Sequence, residues 1–307
     1  MKRLHVVGVV LAAIAVCAAA VLISRSVGGP SSVPASCPQR WDGEEPGGWV
    51  PAAADIDGVE ESLVPGEPVA AMICAYPGDN AHPGGERLTG SRTLTGEAGA
   101  MARDLAYLPV ATAAVGGPCT QMGGPMTNYL IRLAYSTGEA LWVGSAEEVN
   151  SCVTTTNGTV GTRSYVGKSI TAAYRTGRWK LIRPDDPCRE TIGRRGQNEW
   201  MVPDGPISVL VCGEATSHDS PSPRREHGRQ VAETLAAALN SLDTWPSENT
   251  CRGGGDGWFR LIFTYADGPP AGIGILVGCT PGINNGLLQA DLIDLVRDQV
   301  VRLAPPA

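Results

Sequence analysis

NYLIRLAYSTGEALWVG (Asn128–Gly144) and WFRLIFTYADGPPAGIGILVG (Trp258–Gly278) carry one plan twice. Each starts as an apolar run, turns at Tyr-x-x-Gly (Tyr135 to Gly138, Tyr265 to Gly268) and leaves in a second apolar run. Ser-Thr-Gly and Ala-Asp-Gly are turn chemistry that joins antiparallel strands, so both stretches read as hairpins. Reading outward from them uncovers the rest of a repeat. Upstream lie two apolar strands carrying a cysteine near their ends, PVAAMICAY (Pro68–Tyr76) and ISVLVCGEA (Ile207–Ala215). A polar loop follows each, then an alanine-rich helical stretch: TLTGEAGAMARDLAYL (Thr93–Leu108) and HGRQVAETLAAALNSL (His227–Leu242). In the latter, Val231, Leu235, Leu239 and Leu242 recur at helical spacing and define one apolar face. Asn157-Gly158 and Asn285-Gly286 turns come after the hairpins. A last helix is weakly patterned over Arg163–Tyr174 and strongly over Leu287–Leu303. Each unit thus reads β-α-β-β-α, an α+β layer of sheet against helices.

The entries to the two units differ. Cys37 lies twelve positions before Trp49, and Cys188 twelve before Trp200; each tryptophan leads into a Val-Pro pair, Val50-Pro51 or Val202-Pro203. On this alignment the first copy carries thirteen extra residues, within or close to DIDGVEESLVPGE (Asp55–Glu67).

Nine cysteines occur, of which Cys17 falls in the N-terminal apolar segment. The other eight read as a disulfide framework, four to each repeat. Cys119 and Cys152 stand about equally far from the Ser-Thr-Gly turn and should face each other across the hairpin base. Cys251 and Cys279 are placed similarly about Ala-Asp-Gly, which leaves Cys37–Cys74 and Cys188–Cys212. Such bridges would stabilise each unit by about 3–4 kcal/mol apiece. Only 5% of the chain is aromatic against 43% hydrophobic overall, so small residues must fill much of the core. No CxxC or HxxxH pair is present to bind zinc, and no cofactor is implied.

The N-terminus, MKRLHVVGVVLAAIAVCAAAVLISRS, sets the expected compartment. Lys2 and Arg3 precede Leu4–Ile23, which as a helix would span about 30 Å, the thickness of a bilayer's hydrocarbon. Positive charges stay inside, so the remainder is expected outside the cell membrane, single-pass, with an extracellular C-terminal part. The alternative is a secreted protein cleaved after Ala35, with Val33-Pro34-Ala35 as the small-residue site. A lipoprotein reading is disfavoured because Val16 precedes Cys17. The order is then a cytoplasmic tip at 1–3, a transmembrane anchor at 4–24, a linker at 25–36, a first repeat at 37–180, a linker at 181–187 and a second repeat at 188–304. Net charge is −7. A surface of that sign repels phosphate backbones, which argues against nucleic acid as partner.

Motifs that carry chemistry are sparse. VGKS (Val166–Ser169) ends like a phosphate-binding loop, but Thr162 stands where the motif needs glycine, so it reads as a helix start with an exposed lysine. GxSxG, HExxH and SxxK with KTG are absent. His82 with Asp79, and His218 and His227 with Asp219, fall in polar connectors rich in Pro, Gly and Ser. They read as solvated loops. The pairs Glu60-Glu61 and Glu147-Glu148 are sequence neighbours that point to opposite faces of a strand, and read as solvated surface. GGGDG (Gly253–Gly257) lacks the βαβ context of a dinucleotide loop and reads as a flexible approach to a strand.

The pattern of Cys-x11-Trp, strand-Cys, helix, Cys, YLIRLAYSTG or FRLIFTYADG, then Cys resembles exported actinobacterial proteins that carry this module singly or in tandem behind a membrane or lipoprotein signal. The resemblance implies location and architecture and brings no activity with it. The expected role is a non-catalytic binding or interaction module at the bacterial cell envelope. An envelope protein or the cell wall would be its partner. An envelope hydrolase with dispersed residues and a small-ligand sensor with a pocket between the repeats are the alternatives.

Overall fold

The computed structural model describes residues 35–94, 96–111, 122–189, 192–214, 221–248, 250–253 and 257–306. The expected anchor, the cytoplasmic tip, Cys119, His218 and Asp219 lie outside these residues. Among the described residues no helix is long and apolar enough to cross a membrane.

The fold is α+β, with two antiparallel sheets, each backed by two helices. The first half contributes β1 (Ala70–Asp79), β2 (Gly90–Leu94), α1 (Ala98–Ala106), β3 (Pro125–Ala134), β4 (Ala140–Glu147), β5 (Thr155–Thr156), β6 (Gly161–Thr162) and α2 (Gly167–Thr176). The second contributes β7 (Ser208–Cys212), β8 (Arg224–Gly228), α3 (Arg229–Asn240), β9 (Trp245–Pro246), β10 (Trp258–Thr264), β11 (Ala271–Leu276), β12 (Ile283–Asn284), β13 (Leu288–Ala290) and α4 (Asp294–Leu303). Strand orders are β2-β1-β3-β4-β5-β6 and β8-β7-β10-β11-β12-β13-β9.

Alternation builds both cores. Inward residues Ile73, Ile131 and Val143 of the first sheet meet Met101 and Leu105 of α1 and Ile170 of α2. In the second, Val211, Leu261 and Ile273 meet Leu235 and Leu239 of α3 and Val296 of α4. Each helix presents its apolar residues three and four apart, the spacing that aligns them on one face. Both helices of a half share one sheet face, so the opposite face is left for other uses.

Side-chain hydrogen bonds show which residues correspond. Asn157 donates to the carbonyls of Val59, Ser62 and Leu63 and accepts from the amides of Thr159 and Val160. Asn285 donates to Gln197, Trp200 and Met201 and accepts from Leu287 and Leu288. The Tyr135 hydroxyl donates to the Pro65 carbonyl at 2.8 Å, and that of Tyr265 to Pro203 at 2.9 Å. Val64-Pro65 is therefore the partner of Val202-Pro203, and Ser62, not Trp49, stands opposite Trp200. The thirteen extra residues of the first half lie earlier than the Trp-Val-Pro alignment placed them, between Cys37 and Val59.

Three further readings are corrected. The polar loops after β1 and β7 each hold an edge strand, β2 and β8, paired to the preceding strand. The last helix starts at Asp294, not Leu287. Leu288–Ala290 pairs with β12 and β9 as a short strand instead. The 181–187 connector is not merely a tether, since Leu181 packs into the first core.

Disulfides Cys37–Cys74, Cys188–Cys212 and Cys251–Cys279 each close within one half, with Cα separations of 5.8, 5.7 and 5.3 Å. Cys152 is disulfide-bonded too; its expected partner Cys119 lies outside the described residues. Bridges of this number mark a chain folded under oxidising, extracytoplasmic conditions.

Candidate functional site

The helix-free face of each sheet carries the outward residues of its central strands. On the first sheet these include Asn128 and Leu130 on β3 and Trp142, Gly144 and Ala146 on β4, all buried. The stretch between Cys37 and Val59, where the extra residues of the first half fall, forms no helix and crosses this face as a strap at Asn128 and Gly144, while Ala146 packs with Met126, Val153 and Tyr165. Gly47 donates its amide to Asn128 Oδ1 at 2.9 Å. Trp49 meets buried Trp41 edge-on, with ring centroids 5.2 Å apart. Contact is closest at Gly144, where a Cβ would sit 2.1 Å from the Trp49 carbonyl oxygen and 2.8 Å from that of Gly47. The strand must carry glycine for the strap to pass.

The second sheet has the same register, and among the described residues no segment crosses it at the matching glycine, Gly274. Gly144 pairs with Leu130 and Thr156, and Gly274 pairs with Arg260 and Asn284. A Cβ on Gly274 would have the Asn284 carbonyl oxygen, at 3.6 Å, as its nearest neighbour among the described residues. An open groove of about 370 Å³ runs here between Trp258, Arg260, Gly274, Leu276, Pro281 and Asn284. Leu276 is 37% exposed where its counterpart Ala146 is fully buried. Leu287 and Trp200, beside the Asn285 corner of this groove, are 42% and 49% exposed, and their first-half counterparts are Thr159 and Ser62. Exposed large apolar groups gathered round a concavity are the usual mark of a binding surface.

A second cavity, about 220 Å³, lies farther along the same face. Leu210, Ile262 and Thr264 line it from the sheet, and Pro184, Pro187 and Ile192 from the connector.

The junction of the halves is built round Arg194, which is 6% exposed. Its guanidinium lies 4.2 Å from the Tyr107 ring centroid and 3.7 Å from that of Tyr265. Nη1 donates to the carbonyls of Asp267 and Pro269. Burial pulls its pKa down, opposed by the two tyrosines and by the exposed Asp267 carboxylate. Gly268, at φ +76°, would place a Cβ 2.6 Å from the Tyr107 ring, so only glycine lets the second hairpin turn receive the first helix's end.

The groups singled out for chemistry are dispersed. His82 is exposed, with its amide bonded to the Asp79 carbonyl, while the Asp79 carboxylate accepts from Ala81. His227 lies on β8, not in a loop, and its ring bonds the Leu303 carbonyl at 2.8 Å, fastening the sheet edge to α4. Glu60 and Glu61 are exposed. Glu148 is not solvated surface: it is 7% exposed and accepts from Asn80, from Asn150 and from the Cys152 amide, which ties the hairpin base together. Val166 caps α2 and Lys168 is exposed. Gly167 is there for packing, since a Cβ would lie 2.2 Å from the Ala146 carbonyl. In GGGDG, Gly253 lies against the Gly278 carbonyl and Gly257 accepts from Val277; 254–256 lie outside the described residues. Among the described residues no three His, Cys, Asp or Glu side chains gather as metal ligands.

Tyrosines carry the other resolved shifts. Burial raises Tyr76, Tyr129, Tyr135, Tyr165 and Tyr265, Tyr135 to about 12. Four of these hydroxyls are engaged: Tyr76 with Pro38, Tyr129 with Thr171, Tyr135 with Pro65 and Tyr265 with Pro203. These are structural bonds, so the strongest candidate for recognition is the open groove of the second sheet.

Comparison with known protein families, curated proteins and solved structures gives no match for this chain.

Proposed function

We propose that the protein is a non-catalytic binding module of the bacterial cell envelope, held at the membrane by residues 4–24, with its two disulfide-stapled repeats outside. The single observation that supports this reading most is the groove over Gly274, vacant among the described residues where the matching face of the first sheet is filled. A binding partner would bury Leu276 and Trp258 there, and apolar area removed from water contributes about 25 cal/mol per Å². The disulfides, the Lys2-Arg3 start of the apolar segment and the resemblance to exported actinobacterial proteins all support the location. Full-length protein in detergent, immobilised and exposed to envelope fractions, should retain an envelope protein or cell-wall fragment saturably. Gly274→Leu should reduce that retention. Retention indifferent to the groove, or none, contradicts the reading. Alkaline extraction of membranes and N-terminal sequencing test the anchor: a mature chain starting at Ser36 replaces it with secretion.

A second reading, a small-ligand sensor, is supported by the 220 Å³ cavity beneath the connector, whose lining is largely apolar. Apolar fragments that raise the unfolding temperature of wild type but not of Leu210→Trp would favour it.

A further inference from the structure

The first half displays what its sheet face is shaped to hold. Strap residues 41–50 (WDGEEPGGWV) present carbonyls to Gly144, an amide to Asn128, and an indole pair, and they include Asp42, Glu44 and Glu45. The second half keeps the glycine at the crossing point and lacks the thirteen residues that would cross it. Gly274 has room for a side chain, so nothing in the second half's own described packing calls for glycine there. What the glycine does is leave the floor of the groove open. Trp258 occupies the position of Asn128 and Arg260 that of Leu130. Trp258 offers an indole for aromatic stacking, worth about 0.5–1.5 kcal/mol beyond area burial. Among the described groove-lining residues Arg260 carries the charge, and it is positive. Its Nη1 bonds the Arg189 carbonyl, which anchors it at the groove wall.

We propose that this groove binds a peptide segment of another envelope protein with the chemistry of the strap: no helix, a small residue crossing Gly274, an aromatic residue beside it, and acidic side chains. The proposal rests on the binding-module reading and names its ligand class. Charge complementarity favours the acidic segment and sets its register, as it does in other interfaces. The groove takes in trans what the first sheet takes in cis.

The probe is a fluorescein-labelled synthetic peptide of residues 41–52 (WDGEEPGGWVPA), titrated against the full chain in detergent micelles by anisotropy. Saturable binding is expected, weakened at least ten-fold by Gly274→Leu and by Trp49→Ala within the peptide. Arg260→Gln should weaken it and flatten its salt dependence. A peptide bearing a photo-crosslinker at the Trp49 position gives a readout that does not depend on any variant folding, and its adducts should map to Trp258–Leu276. Absent binding, binding indifferent to Gly274→Leu, or adducts confined to the first half overturns the proposal. If envelope retention depends on Gly274 but is displaced by soluble cell-wall glycan and not by the peptide, the peptide assignment falls and the binding-module reading stands. If neither depends on Gly274, both fall.

Discussion

Asn157 and Asn285 do the same work in the two halves: each side chain binds three carbonyls of the loop before the first strand and two amides of its own turn. Removing either amide strands several polar groups in places water reaches poorly. Asn157→Ala, at the fully buried site, should cost about 2–4 kcal/mol in denaturant unfolding. Asn285→Ala, at a partly exposed site, should cost less. A loss under about 0.5 kcal/mol at Asn157 would show that the bonds are not used.

The Arg194 guanidinium couples the halves through Tyr107 and Tyr265. Arg194→Met keeps the bulk and leaves the carbonyls of Asp267 and Pro269 without their donor. A loss of about 2–4 kcal/mol is expected. Calorimetry should also show the unfolding endotherm broadening or splitting as the halves lose their shared contact. A single unshifted transition would remove Arg194 from the junction.

Alkaline pH tests the buried tyrosines. The folded state holds the Tyr135 proton up to about 12, whereas an unfolded chain releases it near 10. Between those values the folded state binds more protons, so stability present below pH 10 declines as pH rises towards 12. Unfolding midpoints measured from pH 8 to 11.5 should fall in that window, and the fall should be shallower in Tyr135→Phe. A flat profile, or one that Tyr135→Phe leaves unchanged, contradicts the assignment.

Peptide mapping without reductant should recover Cys37–Cys74, Cys188–Cys212 and Cys251–Cys279 and pair Cys152 with Cys119. Loops of this size imply about 3–4 kcal/mol per bridge, so reduction should lower the unfolding temperature markedly. Any bridge joining Cys37–Cys152 to Cys188–Cys279 would break the two-module architecture.

Local signals were legible and crossing segments were not. Tyr-x-x-Gly, Asn-Gly and strand-Cys mark turns and strands whose geometry depends on neighbouring residues, so both hairpins and most helices follow from them. Leu287–Leu303 misled because a short apolar run such as Leu287–Ala290 satisfies helical and strand spacing alike; pairing with β12 decides it. Trp49 and Trp200 suggested a register that the carbonyl partners of Asn157 and Asn285 overrule. Arg194 sits in GRRGQNEW, where no sequence neighbour signals burial, because Tyr107, which packs on it, comes from the other half. Glu148 reads as surface for a similar reason: its donor Asn80 follows β1 and reaches it only once β1 and β4 lie in one sheet. The groove left one trace in the sequence, namely that one copy has thirteen residues the other lacks, across hairpins that both keep glycine at 144 and 274.

That asymmetry is tested most directly by one matched pair, Gly144→Ala and Gly274→Ala, compared by denaturant unfolding of the full chain. With a Cβ 2.1 Å from the Trp49 carbonyl, Gly144→Ala must displace the strap. It should lose about 2–4 kcal/mol. Gly274→Ala meets nothing nearer than 3.6 Å among the described residues. It should be neutral or gain up to about 1 kcal/mol. Equal losses at both positions would mean that the second face is covered like the first, and the groove would not exist.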